Sequence, residues 1–407
     1  MTGSRFFLNP NTTSFTDSTD PNLDPLSFHQ LLPGYAPTAL VEAPKLAASL
    51  GVGRIWVKDE SQRIGLPAFK ILGASWGVAR ALARRLGIDE LRCASFAELV
   101  ERFAPLRPLT LAAATDGNHG RAVARMAALL GFAARIVVPA GTAQARIDAI
   151  ASEGAQVMIV DGSYDDAVAR SAELAGPRCL VISDTSWPGY EDTPRDVIAG
   201  YATIFREIDA ELARRAEPGP DIVFVQVGVG ALAAAVIRHY RHRDVFDRAR
   251  PSPMAMGAAC PERCRRGSGV RIVGVEPGRA ACVLASLQAG RIVAIPGPHD
   301  SIMAGLNCGA PSLVAWPALS SGLDLVMAID DERAREGMRA LAQAGLVAGE
   351  TGAAGAGGLI DLCTAPDAEP ARAAIGLGRS SRVLLLCTEG ATDPVAYRHI
   401  VGPQSML

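Results

Sequence analysis

Residues 109–140, LTLAAATDGNHGRAVARMAALLGFAARIVVPA, read as one strand–helix–strand unit. Its ends, LTLAAATDG and ARIVVPA, are short apolar runs bounded by Gly, Pro or Asp, the mark of buried strands. Between them, NHGRAVARMAALLG sets Val123, Met126, Ala127 and Leu130 on one helical face and turns Arg121 and Arg125 away from it. The same alternation begins at residue 54. RIWVKDE (54–60), AQVMIVDG (155–162), CLVISDT (179–185), DIVFVQVGVG (221–230), VRIVGVEP (270–277) and RVLLLCTEG (382–390) are all expected as buried strands, separated by segments of helical spacing. Strands that alternate with helices imply parallel sheets covered on both faces. The fold class is α/β.

The chain has 407 residues, 49% hydrophobic and 20% charged, enough for two or three compact units with a sizeable core. This composition excludes disorder, collagen and a small disulfide scaffold. With 40 Lys+Arg against 42 Asp+Glu, there is no bulk electrostatic reason to expect nucleic acid. No apolar stretch is long enough for a bilayer, and the start MTGSRFFLNPNTTSFTD lacks a basic segment leading into an apolar one. The expectation is a soluble, cytoplasmic protein with no membrane partner. Eight cysteines are too dilute for a disulfide framework. Cys93, Cys179, Cys282 and Cys387 read as small buried hydrophobes, and the Cys260–Cys264 pair has no further ligands nearby to make a metal site.

Composition shifts at 89–107 and 188–196, both rich in charge and Pro, bracket a compact set of βα units. They predict a small α/β domain, 89–199, inserted into a larger one built from 1–88 and 200–407. Residues 1–35 read as a polar arm and 241–270 as an excursion on the larger domain. GETGAAGAGG (349–358) is too apolar for a flexible linker and is expected to open a tightly packed helix.

In an open α/β sheet, ligands bind where strands end and helices begin, and four such junctions carry unusual residues. Lys70, in PAFKILGAS, sits among Leu66, Pro67, Ala68, Phe69, Ile71 and Leu72; partial desolvation would make its amine available for a Schiff base. In TDGNHGRAVA (115–124), Asn118 and the N–H groups of a new helix offer donors. VGVGALAAAV (227–236) is a glycine turn feeding a helix, a phosphate cradle without the P-loop signature or the third glycine of a dinucleotide fingerprint. In LLLCTEGATDP (384–394), Thr388 ends a strand.

Together these motifs resemble the fold-type II pyridoxal-phosphate enzymes, the tryptophan synthase β-like family, from about residue 36 to 400. The resemblance rests on AFK (68–70) with Gly73, DGNHG (116–120), GVGA (228–231), MAGLNCG (303–309), GETGA (349–353) and TEGATD (388–393). Within the family, the chain is most similar to the 2,3-diaminopropionate ammonia-lyases. The resemblance implies two open, twisted, mostly parallel sheets flanked by helices, a homodimer, and pyridoxal 5'-phosphate as cofactor. It implies Lys70 as the Schiff-base lysine, Asn118 at the cofactor's phenolic oxygen, Gly228, Val229, Gly230 and Ala231 around its phosphate, and Thr388 at its pyridine nitrogen. It also implies Asp116, where much of the family has Ser or Thr, and Asp184 as active-site carboxylates. A diamine presents a cation at Cβ, for which a carboxylate is the natural partner, and an aspartate can hold a proton in transit. The implied reaction is α,β-elimination from the amino-acid substrate, giving pyruvate and ammonia. Serine or threonine dehydration and β-replacement are the alternatives on the same cofactor. A non-catalytic binder of a phosphate-bearing ligand is more remote, and a nicotinamide dehydrogenase is undercut by the incomplete glycine fingerprint. The 241–270 excursion lies outside the family pattern.

Overall fold

The computed structural model describes residues 5–12, 24–89, 91–115, 117–249 and 269–402. Asp116, Cys260 and Cys264 lie outside the described residues, as does most of the 241–270 excursion. Its residues 241–249 complete the helix Ala231–Ala249.

Among the described residues, eleven strands form two sheets. In chain order they are β1 (Phe6–Leu8), β2 (Leu40–Glu42), β3 (Arg54–Asp59), β4 (Thr110–Ala114), β5 (Ala133–Pro139), β6 (Gln156–Val160), β7 (Cys179–Val181), β8 (Ile222–Gln226), β9 (Arg271–Pro277), β10 (Leu325–Ile329) and β11 (Arg382–Cys387). The larger sheet has the order β1-β10-β9-β8-β11-β3-β2 and the smaller β6-β5-β4-β7. All neighbours are parallel except the two edge pairs β1/β10 and β2/β3, which are antiparallel. Helices cover the interior strands, so β8 is buried along its whole length and β11 at every position but Arg382. This is the expected α/β architecture of two mostly parallel sheets.

Two readings of the strands need correction. β6 and β7 are not buried strands: they form the two edges of the smaller sheet, leaving Ile159 63% exposed and Cys179 and Leu180 half-buried, because an edge strand has a neighbour on one side only. β10 escaped the reading, since its five apolar residues follow the helix Trp316–Gly322 with almost no polar break between them. β1 and β2, at three residues each, are too short to carry a period.

Val123, Met126, Ala127 and Leu130 of the helix Asn118–Leu130 are fully buried as expected, and Arg121 and Arg125 turn outward to Glu153 at 3.0 and 2.5 Å. The 349–358 segment opens the helix Ala354–Thr364, whose residues Ala354 to Leu359 are all buried.

The helix Lys70–Arg85 is fixed by close packing on the helix Asp192–Gly200. A Cβ at Gly73 would come within 2.5 Å of the Tyr201 ring, and one at Gly200 within 2.6 Å of the Leu72 carbonyl. A closed set of buried charges secures the loop that leads into this helix. Glu207 Oε2 lies 2.6 Å from Lys58 Nζ and its Oε1 2.7 Å from an Arg63 guanidinium nitrogen, while Arg63 also reaches Glu60 at 2.5 Å. Burial would push the Glu207 carboxyl up, but hydrogen bonding and charge from Arg63, then Lys58, outweigh it and hold it at about 2. A carboxyl depressed from 4.5 to about 2 adds stability that is complete above the higher value and lost as pH falls toward the lower. Glu207→Gln should therefore cost about 3–5 kcal/mol at neutral pH, because it strands buried cations. Denaturant titrations at several pH values should also show a shallower acid loss in the variant; an equal loss would remove Glu207 from the acid response.

Candidate active site

Four helices begin at one cavity, at the carboxyl ends of the strands. They start at Lys70, Asn118, Tyr164 and Ala231, and all four residues line it. A helix N-terminus carries partial positive charge, so the cavity is prepared for anionic groups. Its walls include Asp184, Gln226, Gly228 to Leu232, Gly305 to Cys308, Thr351, Thr388 and Glu389. Lys70, Asn118, Asp184, Gly228, Val229, Gly230, Ala231 and Thr388, singled out in the sequence, are thus brought together; Asp116 lies outside the described residues.

The setting of Lys70 differs from the apolar one expected. Its neighbours Phe69, Ile71 and Leu72 are buried, and its ammonium lies 5.6 Å from the Phe69 ring centroid. The nitrogen itself, however, donates to Asp184 Oδ2 at 2.6 Å. Asp184 is 4% exposed, accepts from the Tyr164 hydroxyl at 3.1 Å, and has His119 Nδ1 3.9 Å away. Burial pushes this carboxyl up, yet the Lys70 charge, then His119 and the hydrogen bonds from Lys70 and Tyr164, prevail and hold it well below the usual carboxylate range.

Of the three lysines in the sequence, Lys45, Lys58 and Lys70, only Lys70 opens on the cavity. Lys58 is closed in the ion cluster and Lys45 lies on the exposed face of the helix Pro44–Leu50.

At the far wall, Gln226 Nε2 donates to the carbonyl of Leu386 at 2.7 Å and to Thr388 Oγ1 at 3.2 Å. Because Thr388 accepts there, its own O–H is left to donate elsewhere. Asn118 Nδ2 donates to Glu389 Oε2. The glycine turn has two distinct faces. A Cβ on Gly228 would approach Cys308 Sγ and Gly305 O at 3.1 and 3.2 Å, so a side chain there would crowd the cavity wall. Gly230 has φ +95° and a Cβ on it would strike Leu319 Cδ1 at 2.4 Å. Gly230 is therefore required by backbone shape and core packing, and a charged residue there would disturb the fold rather than probe a bound anion.

Tyr164, Gln226, Thr351, Cys308 and Glu389 are site residues that the sequence reading did not assign. Thr351, Cys308 and Glu389 lie inside quoted motifs, and Gln226 is the polar residue in an otherwise apolar strand. Tyr164 follows Ser163 of a capping box with Asp166, a signal for a helix start but not for a site.

The residues fit pyridoxal phosphate: a turn with no room for a side chain at Gly228 or Gly230 opens a helix of 19 residues for the phosphate, a primary amine stands for the aldehyde, and a hydroxyl donor stands at Thr388.

The sequence pattern of the family described as "Pyridoxal-phosphate dependent enzyme" matches residues 31–381. The diaminopropionate ammonia-lyase of Salmonella typhimurium is 35% identical over 387 residues, covering 92% of this chain and 90% of its own length. That of Escherichia coli K12 is 36% identical over 380 residues, covering 92% of this chain and 89% of its own. The crystal structure of the Escherichia coli diaminopropionate ammonia lyase in complex with D-serine superposes with a TM-score of 0.82 at 32% identity, covering 97% of this chain and 96% of that one.

Proposed function

The chain belongs to the pyridoxal-phosphate dependent enzymes, and from that membership we propose an ammonia-lyase that cleaves 2,3-diaminopropionate. Each substrate and one water give one pyruvate and two ammonia. The observation that carries this reading is the Lys70–Asp184 contact of 2.6 Å inside a cavity ringed by helix N-termini. Bound there, pyridoxal phosphate supplies an electron sink for charge left on the substrate's α-carbon.

Lys70 would hold the cofactor through its amine, Gly228 to Ala231 its phosphate, Asn118 its phenolic oxygen, and Thr388 its ring nitrogen. The Gln226 amide keeps the Thr388 hydroxyl turned to donate. Asp184 is the residue that holds a proton or faces the second ammonium of a diamine. While Lys70 is charged, Asp184 stays ionised. Once Lys70 loses that charge, the buried carboxylate becomes a stronger base. Tyr164 keeps the carboxylate oriented through its hydroxyl. Asp116 is proposed as the second carboxylate, by resemblance.

In this reading residues 89–199 form an inserted domain that brings Asn118, Tyr164 and Asp184 to face Lys70, and the enzyme is a cytoplasmic homodimer. Among the described residues, no helix is long and apolar enough to cross a membrane.

Purified protein should show a pyridoxal absorbance band that changes on adding diaminopropionate, with pyruvate released faster than from serine or threonine. Absence of the band, or turnover of serine or threonine alone, would overturn the proposal; the latter would favour dehydration on the same cofactor.

A further inference from the structure

Glu389 is a buried carboxylate on the cavity wall that the proposed reaction leaves without a role. It is 3% exposed. Its Oε2 accepts from Asn118 Nδ2 and its Oε1 from the Thr351 N–H at 3.2 Å. Its own carbonyl accepts from Gly349 N–H at 3.0 Å, and it is bridged antiparallel to Ala68, two residues before Lys70. A Cβ on Gly352 would lie 2.4 Å from the Glu389 carbonyl and one on Gly349 3.2 Å from its Oε1; the GETG turn is pressed against this residue. Asn118 follows β4 of the smaller sheet, whereas Glu389 follows β11, an interior strand of the larger. Their hydrogen bond ties the two sheets together at the ligand site.

We propose that Glu389 is a positioning residue that fixes which end of the Asn118 carboxamide faces the cofactor. This rests on the reading of Asn118 given above. An amide presents an N–H₂ and an oxygen of nearly the same shape, and the wrong end would set an acceptor against the cofactor's phenolic oxygen. An ionised carboxylate only accepts hydrogen bonds, so it binds one Nδ2 hydrogen and leaves the other for the ligand. Burial pushes the Glu389 carboxyl up. Arg146 opposes this, Glu350 adds to it, and the hydrogen bonds from Thr351 and Asn118 oppose it further, but burial prevails and the carboxyl stays above its ordinary value.

The test is a double-mutant cycle on the full-length chain, stripped of cofactor and titrated with pyridoxal phosphate by absorbance. Glu389→Gln keeps the shape but no longer dictates the amide's orientation. It should weaken cofactor binding about tenfold and shift the band, the scale of one hydrogen bond to a charged group. Asn118→Ala should do the same, and the double variant should bind no more weakly than Asn118→Ala, because the two act as one unit. Glu389→Asp, which withdraws the carboxylate by one methylene, gives the same non-additivity if the Gln variant does not fold. Losses that multiply in the double variant, or wild-type affinity and band position in Glu389→Gln, would overturn the proposal. A wild type with no band would instead overturn the reading of the site.

Discussion

Lys70→Ala should lose turnover of diaminopropionate by at least about 10⁴-fold, the scale for removing a covalent catalytic group, while the protein stays folded. Lys70 begins its helix with its side chain one-fifth exposed, and the helix is held by its buried face against Asp192–Gly200, so stability does not depend on the amine. The variant has a second consequence. Asp184 loses its strongest cationic neighbour while remaining buried, so its carboxyl should move upward. Pyridoxal phosphate should still bind, through the glycine turn and Asn118, but reversibly and with an altered spectrum. Thermal unfolding, cofactor titration and pyruvate release measured on the same preparation separate these effects. Retained turnover would remove Lys70 from the mechanism.

Asp184→Asn should lower kcat for diaminopropionate by about 100-fold or more, the loss expected for a positioned acid or base. Asn preserves the size of the side chain and its acceptor for the Tyr164 hydroxyl, so cofactor binding should persist. What disappears is a charge beside Lys70 and the ability to hold a proton. Any side activity on serine, whose leaving group carries no second cation, should fall less. Asp116→Asn, measured in parallel, tests the second carboxylate in the same way. Steady-state kinetics on both substrates decides the matter: equal losses on diaminopropionate and serine would show that the carboxylate serves proton transfer alone, and no loss on either would exclude it from the reaction.

The α/β class and the junctions that make the site were legible because they depend on local pattern. β4, β8 and β11 are short apolar runs that stop at small polar residues, and helix starts follow β4 and β8 directly. Lys70 announced itself by apolar neighbours, and the structure added the contact that neighbours in sequence cannot reveal: Asp184 is 114 positions away. The same holds for Glu389, 271 positions from Asn118, and for the Lys58, Glu60, Arg63 and Glu207 cluster. A lysine inside a strand and a glutamate inside a helix look like solvated charges until the fold closes them on one another. Tyr164 was hidden for a further reason: it lies beyond β6 and Asp184 beyond β7, at opposite edges of the smaller sheet, and only the closing of that sheet brings them within 3.1 Å. Edge exposure of β6 was equally invisible, since a strand's sequence does not state how many neighbours it has.

Covalent mapping of the cofactor shows which lysine carries it. Borohydride reduction of the holoenzyme followed by peptide mass spectrometry has only three lysines to distinguish. A reduced pyridoxyl group is expected on the peptide containing Lys70 and on no other; a label on Lys45 or Lys58, or no label on protein that carries the absorbance band, would exclude Lys70 as the Schiff-base lysine.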